Sequence, residues 1–236
     1  MNTNIIKVFF AIAVAGLVAV GLPMSSSATM TQYGLYDTGV DSNGNSLQGE
    51  ATDSHWKLNG GAAMVVVPPV AGWLDDSSPN GPSRWLSADG SGGNDGNGTF
   101  SYSFTTTFTL SGLVNVSLSG EWASDNASIL ILNGHTIGTI PFGSYPNWSF
   151  QQYTTFADTL QSDFILNGMN TLTILDQNGD LTAPDGQPGG PFGVRANDLT
   201  ITGTPVPEPT SVAAGSLLLM PLGISAVRVL RKSRVV

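Results

Sequence analysis

The chain has no cysteine among its 236 residues, which excludes disulfides, thiolate metal sites and a cysteine nucleophile. Histidine is almost missing as well. His55 and His135 stand alone, with no His-x-x-x-His or His-Glu pairing, so a catalytic zinc centre built on imidazoles lacks its ligands. Charged residues make up only 11% of the chain, and cations are the scarcer sign, with 8 Lys+Arg against 17 Asp+Glu. Between residues 29 and 204 only Lys57, Arg84 and Arg195 oppose sixteen acids, a net charge of −13. Such a surface repels nucleic acid and anionic membrane. The same stretch has no Gly-x-Ser-x-Gly elbow, no phosphate-cradling glycine loop and no amphipathic helical periodicity.

What the chain does have begins at its two ends. Lys7 precedes an apolar stretch from Val8 to Leu22, Pro23 breaks it, and Ser26-Ser27-Ala28 supplies small residues. This reads as a secretory signal peptide over 1–28, cleaved after Ala28, with an uncleaved N-terminal anchor as the alternative. At the other end, Pro205-Val206-Pro207-Glu208-Pro209 leads into an uncharged apolar run from Thr210 to Val227, followed by Arg228, Arg231, Lys232 and Arg234. The alternating prolines predict an extended, exposed segment that stays out of any sheet. As a helix, the apolar run spans ~27 Å, close to the ~30 Å hydrocarbon core of a bilayer. Pro221 within it is tolerated in lipid, and the terminal cations hold that end in the cytoplasm, placing everything N-terminal outside. The alternative is a buried C-terminal helix of a globular fold.

Val-Pro-Glu-Pro, an apolar span and a terminal Arg/Lys cluster, in that order, resemble the PEP-CTERM sorting signal of Gram-negative bacteria. The resemblance covers 205–236 and maps onto Pro207, Glu208 and Pro209, the span Ser211–Val227 and the basic residues Arg228, Arg231, Lys232 and Arg234. It implies export through the translocon, a membrane anchor before processing, and recognition near Pro-Glu-Pro by an exosortase. The destination it implies is the cell envelope or an extracellular polysaccharide matrix.

The remaining 29–204 is one domain's length, enough to bury a core without disulfides. Ser54–Leu58 and Ala63–Val67 read as strands around an Asn59-Gly60-Gly61 turn, and Trp73 and Trp85 fall in a long connection running to Gly98. From Thr99 to Leu110, Phe100, Tyr102, Phe104, Phe108 and Leu110 alternate with Ser and Thr, as a half-buried strand requires. Val114 to Trp122 repeats the pattern. Ile129–Leu132 is apolar on both faces and reads as a central strand, and Asn133-Gly134 predicts a two-residue hairpin to His135–Ile140. Trp148–Phe156, Thr171–Leu175, Phe192–Ala196 and Leu199–Thr202 complete eight to ten short antiparallel strands, the pattern of a β-sandwich.

Trp122-x-x-Asp125-Asn126, Ile129 to Leu132, Asn133-Gly134, Ile137-Gly138 and Asn167-Gly168-x-Asn170-x-Leu172 together are similar to galactose-binding-domain-like jelly rolls. The expected fold is therefore all-β, an antiparallel jelly-roll β-sandwich flanked by an N-terminal signal helix and a C-terminal transmembrane helix. Fold analogy alone transfers no function.

Two stretches imitate calcium loops. Asp41-x-Asn43-x-Asn45 has Ser46 and Thr52 at positions six and twelve, and Asp176-x-Asn178-x-Asp180 has Leu181 and Gln187 there. An EF-hand needs glycine and a bidentate Glu at those positions, so neither qualifies, and only a looser structural calcium site stays open. No cofactor is expected. For a sugar, tryptophan faces beside Asp and Asn offer an apolar platform with directional polar groups. The candidates are Trp85, Asp89, Asp125, Asn126 and Arg195, the last able to fork to hydroxyls or to pair with Asp198. The alternative is that all five tryptophans pack inside. The overall expectation is an exported, non-catalytic envelope or matrix protein that binds exopolysaccharide. Its rivals are a structural or adhesive matrix protein without a discrete ligand and a carbohydrate-active hydrolase using two carboxylates.

Overall fold

The computed structural model describes residues 27–28, 33–77, 81–92, 101–142, 149–178 and 190–206. Among them the chain forms β1 (Ser27–Ala28), β2 (Thr52–Leu58), β3 (Gly61–Val66), β4 (Trp85–Ser87), β5 (Ser101–Leu110), β6 (Leu113–Asp125), β7 (Ala127–Leu132), β8 (His135–Ile140), β9 (Thr154–Asp158), β10 (Gly168–Gln177) and β11 (Gly193–Pro205). The only helical pieces among the described residues are two single 3₁₀ turns, Ser149–Gln151 and Gln161–Asp163. The expected signal helix and transmembrane helix lie outside the described residues, apart from Ser27–Ala28. No helix among those described is long and apolar enough to cross a membrane.

All pairings are antiparallel, in the order β8-β7-β10-β5-β2-β3-β4-β11-β6-β9, with β1 added to β11. The two ends of this order curl back toward each other until β8 meets β9 and the Trp122 ring of β6. A Cβ on Gly138 of β8 would come within 2.5 Å of the Trp122 ring on β6, so only glycine fits there. The sheet is therefore nearly closed around its main apolar cluster. β5 shows why these residues form it, since Tyr102, Phe104, Thr106, Phe108 and Leu110 all point inward at every second position. Leu172 and Ile174 of β10, Leu130 and Leu132 of β7, and Leu118 and Trp122 of β6 meet them. Each such side chain, fully buried, contributes about 1.5–3 kcal/mol.

The hairpin at Asn133-Gly134 forms as expected, with φ of 50° and 89° and Leu132 opposite His135. Ile129–Leu132 lies between two partners, β8 and β10. Four expectations need correction. Within Trp148–Phe156, Ser149–Gln151 is a 3₁₀ turn and the strand, β9, begins only at Thr154. Trp85–Ser87 is a strand rather than part of a loop, joining β3 to β11 through Val65, Leu86 and Val194. Three residues without alternation carry no periodic signal. The two strands expected at Phe192–Ala196 and Leu199–Thr202 are one, β11, which starts at Gly193 and is interrupted by a bulge at Asp198 (φ 53°) that shifts the side-chain phase and looks like a gap in the sequence. Pro205 does join the sheet, opposite Leu113, and the Val206 N–H donates to Gly112 O at 2.8 Å. Proline is accommodated there because it follows the register shift between Thr202 and Thr204, where the ladder is already irregular.

The segment before β2 is tied to β11 by buried polar groups. Asp37 Oδ1 accepts from the Leu199 N–H at 2.9 Å, and the Thr38 hydroxyl accepts from the Ala196 N–H at 3.0 Å. Asp37 is 1% exposed and its Oδ2 has no partner. Burial raises its pKa from 3.8 to about 6, against the Leu199 and Asp198 N–H groups, while the charges of Asp198 and Glu121 add to the rise. A raised folded-state pKa means stability fully present below 3.8 and lost as pH rises through about 6. The difference is at most about 3 kcal/mol. Denaturant titrations at pH 4.5 and 7.5 should show Asp37→Asn removing that part of the pH dependence. An unchanged slope in the variant would assign it elsewhere.

Candidate functional site

The residues selected from the sequence converge on one end of the sheet, around a second apolar cluster of Val66, Trp73, Trp85 and Ala123. Trp73 is at its centre. Its ring lies 4.3 Å from that of Trp85, and its Nε1 donates to Asp125 Oδ2 at 2.8 Å. Gly193 of β11 leaves room for this ring, since a Cβ there would approach it to 2.8 Å and Leu86 O to 2.7 Å. Asp125, the last residue of β6, also accepts from Asn126 Nδ2.

Trp85 is wholly buried and its Nε1 donates to Leu74 O at 2.9 Å. Arg195 is equally buried and reaches the same carbonyl through one NH group at 3.3 Å. That group also donates to Asp75 O at 2.8 Å. The Nε donates to Ser83 Oγ at 3.0 Å and the other NH group to Ser83 O at 2.7 Å. Asp76 stands 3.5 Å from both Arg195 and Arg84, and the Tyr153 ring lies 5.8 Å from the Arg195 guanidinium carbon. Arg195 thus clamps residues 74–76 and 83 onto β11. Asp89 is exposed, with Oδ1 taken by the Ser91 N–H and hydroxyl, and the turn it starts rests on Trp73 through Gly92.

The sequence therefore selected residues that do come together, but for a different role. Trp85 and Arg195 have no exposed face and form no sugar platform, and the ion-pair partner of Arg195 is Asp76 rather than Asp198. Trp56, Trp73 and Trp122 are buried as well, and Trp148 lies outside the described residues. So do the sorting residues Pro207, Glu208 and Pro209 and the basic Arg228, Arg231, Lys232 and Arg234. Neither histidine has a second imidazole near it: His55 stacks on Tyr36 with ring centroids 3.7 Å apart, and His135 lies 3.6 Å from Asp163.

The calcium-loop imitations separate. Asp41 is an Asx turn whose carboxylate accepts from the N–H groups of Asn43 and Asn45 and from Asn45 Nδ2, and these bonds, the Asn45 side chain's first, lower its pKa. Asp176 is the reverse case. It is 0% exposed on the inner face of β10, opposite Ser128 of β7 and Tyr102 of β5. Gln177 O accepts from the Asn126 N–H at 3.2 Å, which sets Asp125 beside it. Burial first and the charge of Asp125 second push the Asp176 carboxyl well above 3.8. Asp125 is itself raised to about 6 by burial, against its hydrogen bonds from Trp73 and Asn126. Among the described residues no three His, Cys, Asp or Glu side chains gather at one point. A signal for Asp176 existed in the sequence: it has the same parity as the inward Leu172 and Ile174.

No protein-family model matches the chain, and no curated protein matches it. Solved structures do. A family 35 carbohydrate binding module from an environmental isolate matches at 13% identity and a TM-score of 0.34, over 66% of this chain and 93% of the module. A cyclase from Fischerella sp. TAU matches at 12% identity and 0.41, over 73% and 98%. The enzymatically active domain of bacteriophage CBA120 tailspike protein 4 matches at 12% and 0.33, over 63% of this chain and 19% of that one. At these values the likenesses assign no activity.

Replacing Arg195 by Lys keeps the charge and loses the fork, leaving the carbonyls of Leu74, Asp75 and Ser83 short of donors. The expected cost is roughly 2–4 kcal/mol, read as a lower denaturant midpoint. A midpoint within experimental error of wild type would deny the clamp.

Proposed function

We propose that this chain is an exported protein of the envelope or extracellular matrix of a Gram-negative bacterium, sorted through its C-terminal segment, with a non-catalytic jelly-roll β-sandwich as its body. The observation that carries the reading is the order of features in 205–236: Pro-Glu-Pro, an uncharged apolar run, then four cations. The antiparallel, nearly closed sheet is compatible with that body, and β11 ends at Pro205, where the sorting segment starts. The partners in this reading are the export translocon, an exosortase acting near Pro207-Glu208-Pro209, and the membrane that holds the apolar segment before processing.

Exopolysaccharide is the ligand class proposed for the body. One observation favours the rival, a structural matrix protein without a discrete ligand: Trp56, Trp73, Trp85 and Trp122 are all buried. The hydrolase reading is weakened by the burial of Asp125 and Asp176, which leaves neither carboxylate open to a polymer.

Replacing Pro207-Glu208-Pro209 by three alanines should leave a longer, membrane-held form in fractionated cells, seen by immunoblot. Processing identical to wild type would remove the exosortase from the proposal. Affinity electrophoresis through gels containing the host's exopolysaccharide separates the two roles of the body: retardation supports binding, and unretarded migration supports the purely structural protein.

A further inference from the structure

We propose that Asp176, Asn178 and Asp125 form a binding site for one calcium ion where β6 hands over to β7 beside the end of β10. The first observation is an orphaned carboxylate. Asp176 is 0% exposed, and neither of its oxygens has a hydrogen-bond partner of normal geometry, the backbone N–H of the adjacent Gln177 being the one donor that acts on the carboxylate. More than nine in ten buried polar groups in folded proteins are paired, and a buried carboxylate without a partner is among the costliest exceptions. The second observation is that the orphan is not alone. Asn178, two residues on and 1% exposed, has its Oδ1 unpartnered too. Residues two apart on an extended chain share a face, roughly 7 Å apart, a spacing that one ion bridges at about 2.4 Å from each oxygen with the side chains reaching inward.

The third observation is Asp125, set beside this pair by the bond from the Asn126 N–H to Gln177 O. Its two oxygens are oriented by Trp73 Nε1 and Asn126 Nδ2, and each keeps a second lone pair for an ion. All the donors are oxygens and two are carboxylates, with no imidazole or thiolate in the set. That selects a hard cation, and the variable geometry of calcium suits a site made of two strand ends better than the strict octahedron of magnesium. The Asp41 turn supplies the contrast, because its carboxylate is already consumed by the chain's own donors.

The test uses the full chain, purified in detergent and stripped with chelator. Trp73 donates to an Asp125 oxygen at 2.8 Å, so a terbium ion bound there lies within about 6 Å of an indole and should show tryptophan-sensitised emission. That emission should saturate at one equivalent and be displaced by calcium chloride at concentrations where magnesium chloride has no effect. Calcium at a hundredfold excess over its Kd should raise Tm by roughly 5–10 °C. Asp176→Asn should weaken binding at least roughly tenfold and abolish the Tm shift, with its own Tm in chelator near that of wild type. Asn178→Ala should weaken binding in the same direction, and Asp41→Asn should leave it unchanged. The proposal is overturned by absence of sensitised emission from the wild-type chain, by binding that survives Asp176→Asn, or by binding lost in Asp41→Asn.

Discussion

The ladder between β6 and β11 is the pairing on which the rest of the molecule depends. Both strands are 13 residues long, and they run opposite one another from Gly193–Asp125 to Pro205–Leu113. β11 also carries β4 and β1, and β6 carries β9, so a displaced ladder displaces three further strands. A slip of one residue turns every side chain to the opposite face. Here it would expel Val194, Ala196 and Arg195 from their environments at once. The bulge at Asp198 resists that slip, because its extra residue and the Leu199–Asp37 bond are matched at only one register.

With no disulfides available, the interior combines apolar packing with buried polar groups, several of which are densely hydrogen-bonded. Asn170 is wholly buried, accepts from the Ile165 N–H and Asn133 Nδ2, and donates to the carbonyls of Ile165 and Gly168. Asp53 is nearly as buried and caps the N–H groups of Gly39, His55 and Trp56. Arg195 spreads its charge over three carbonyls and a hydroxyl. These groups rigidify because each alternative arrangement strands a buried donor or acceptor. Against that background Asp176 stands out because both of its carboxylate oxygens are unpartnered, at the same end of the sheet where Trp73, Trp85 and Arg195 meet.

Much of the strand pattern was legible beforehand. β5, β6, β7, β8 and β10 follow from alternation and from Asn-Gly turns, because a half-buried strand writes its two faces into every second residue. β4 and the continuity of β11 were not legible. A three-residue strand is too short to show a period, and a bulge erases the period exactly where it matters to the reader of a sequence. The site residues divide in the same way. Trp85, Asp125, Asn126 and Arg195 do gather with Trp73, and Asp89 opens the turn beside them, but Trp85 and Arg195 are inside, as the alternative reading allowed, although a tryptophan in an Asp/Ser/Pro-rich stretch looks like a loop residue.

Composition and local pattern by themselves determined that the described body is nearly all antiparallel β, and that the chain is free of disulfides, acidic in its body and fitted with an apolar, cation-tipped end. These properties depend on residue type and on near neighbours along the chain. Only the tertiary structure decided that Arg195 is a clamp rather than a ligand-binding fork, that four tryptophans face inward, and that Asp125 and Asp176, fifty-one positions apart, share one buried corner. Burial and pairing between distant strands depend on which segments the sheet brings side by side, and no local stretch of sequence records that.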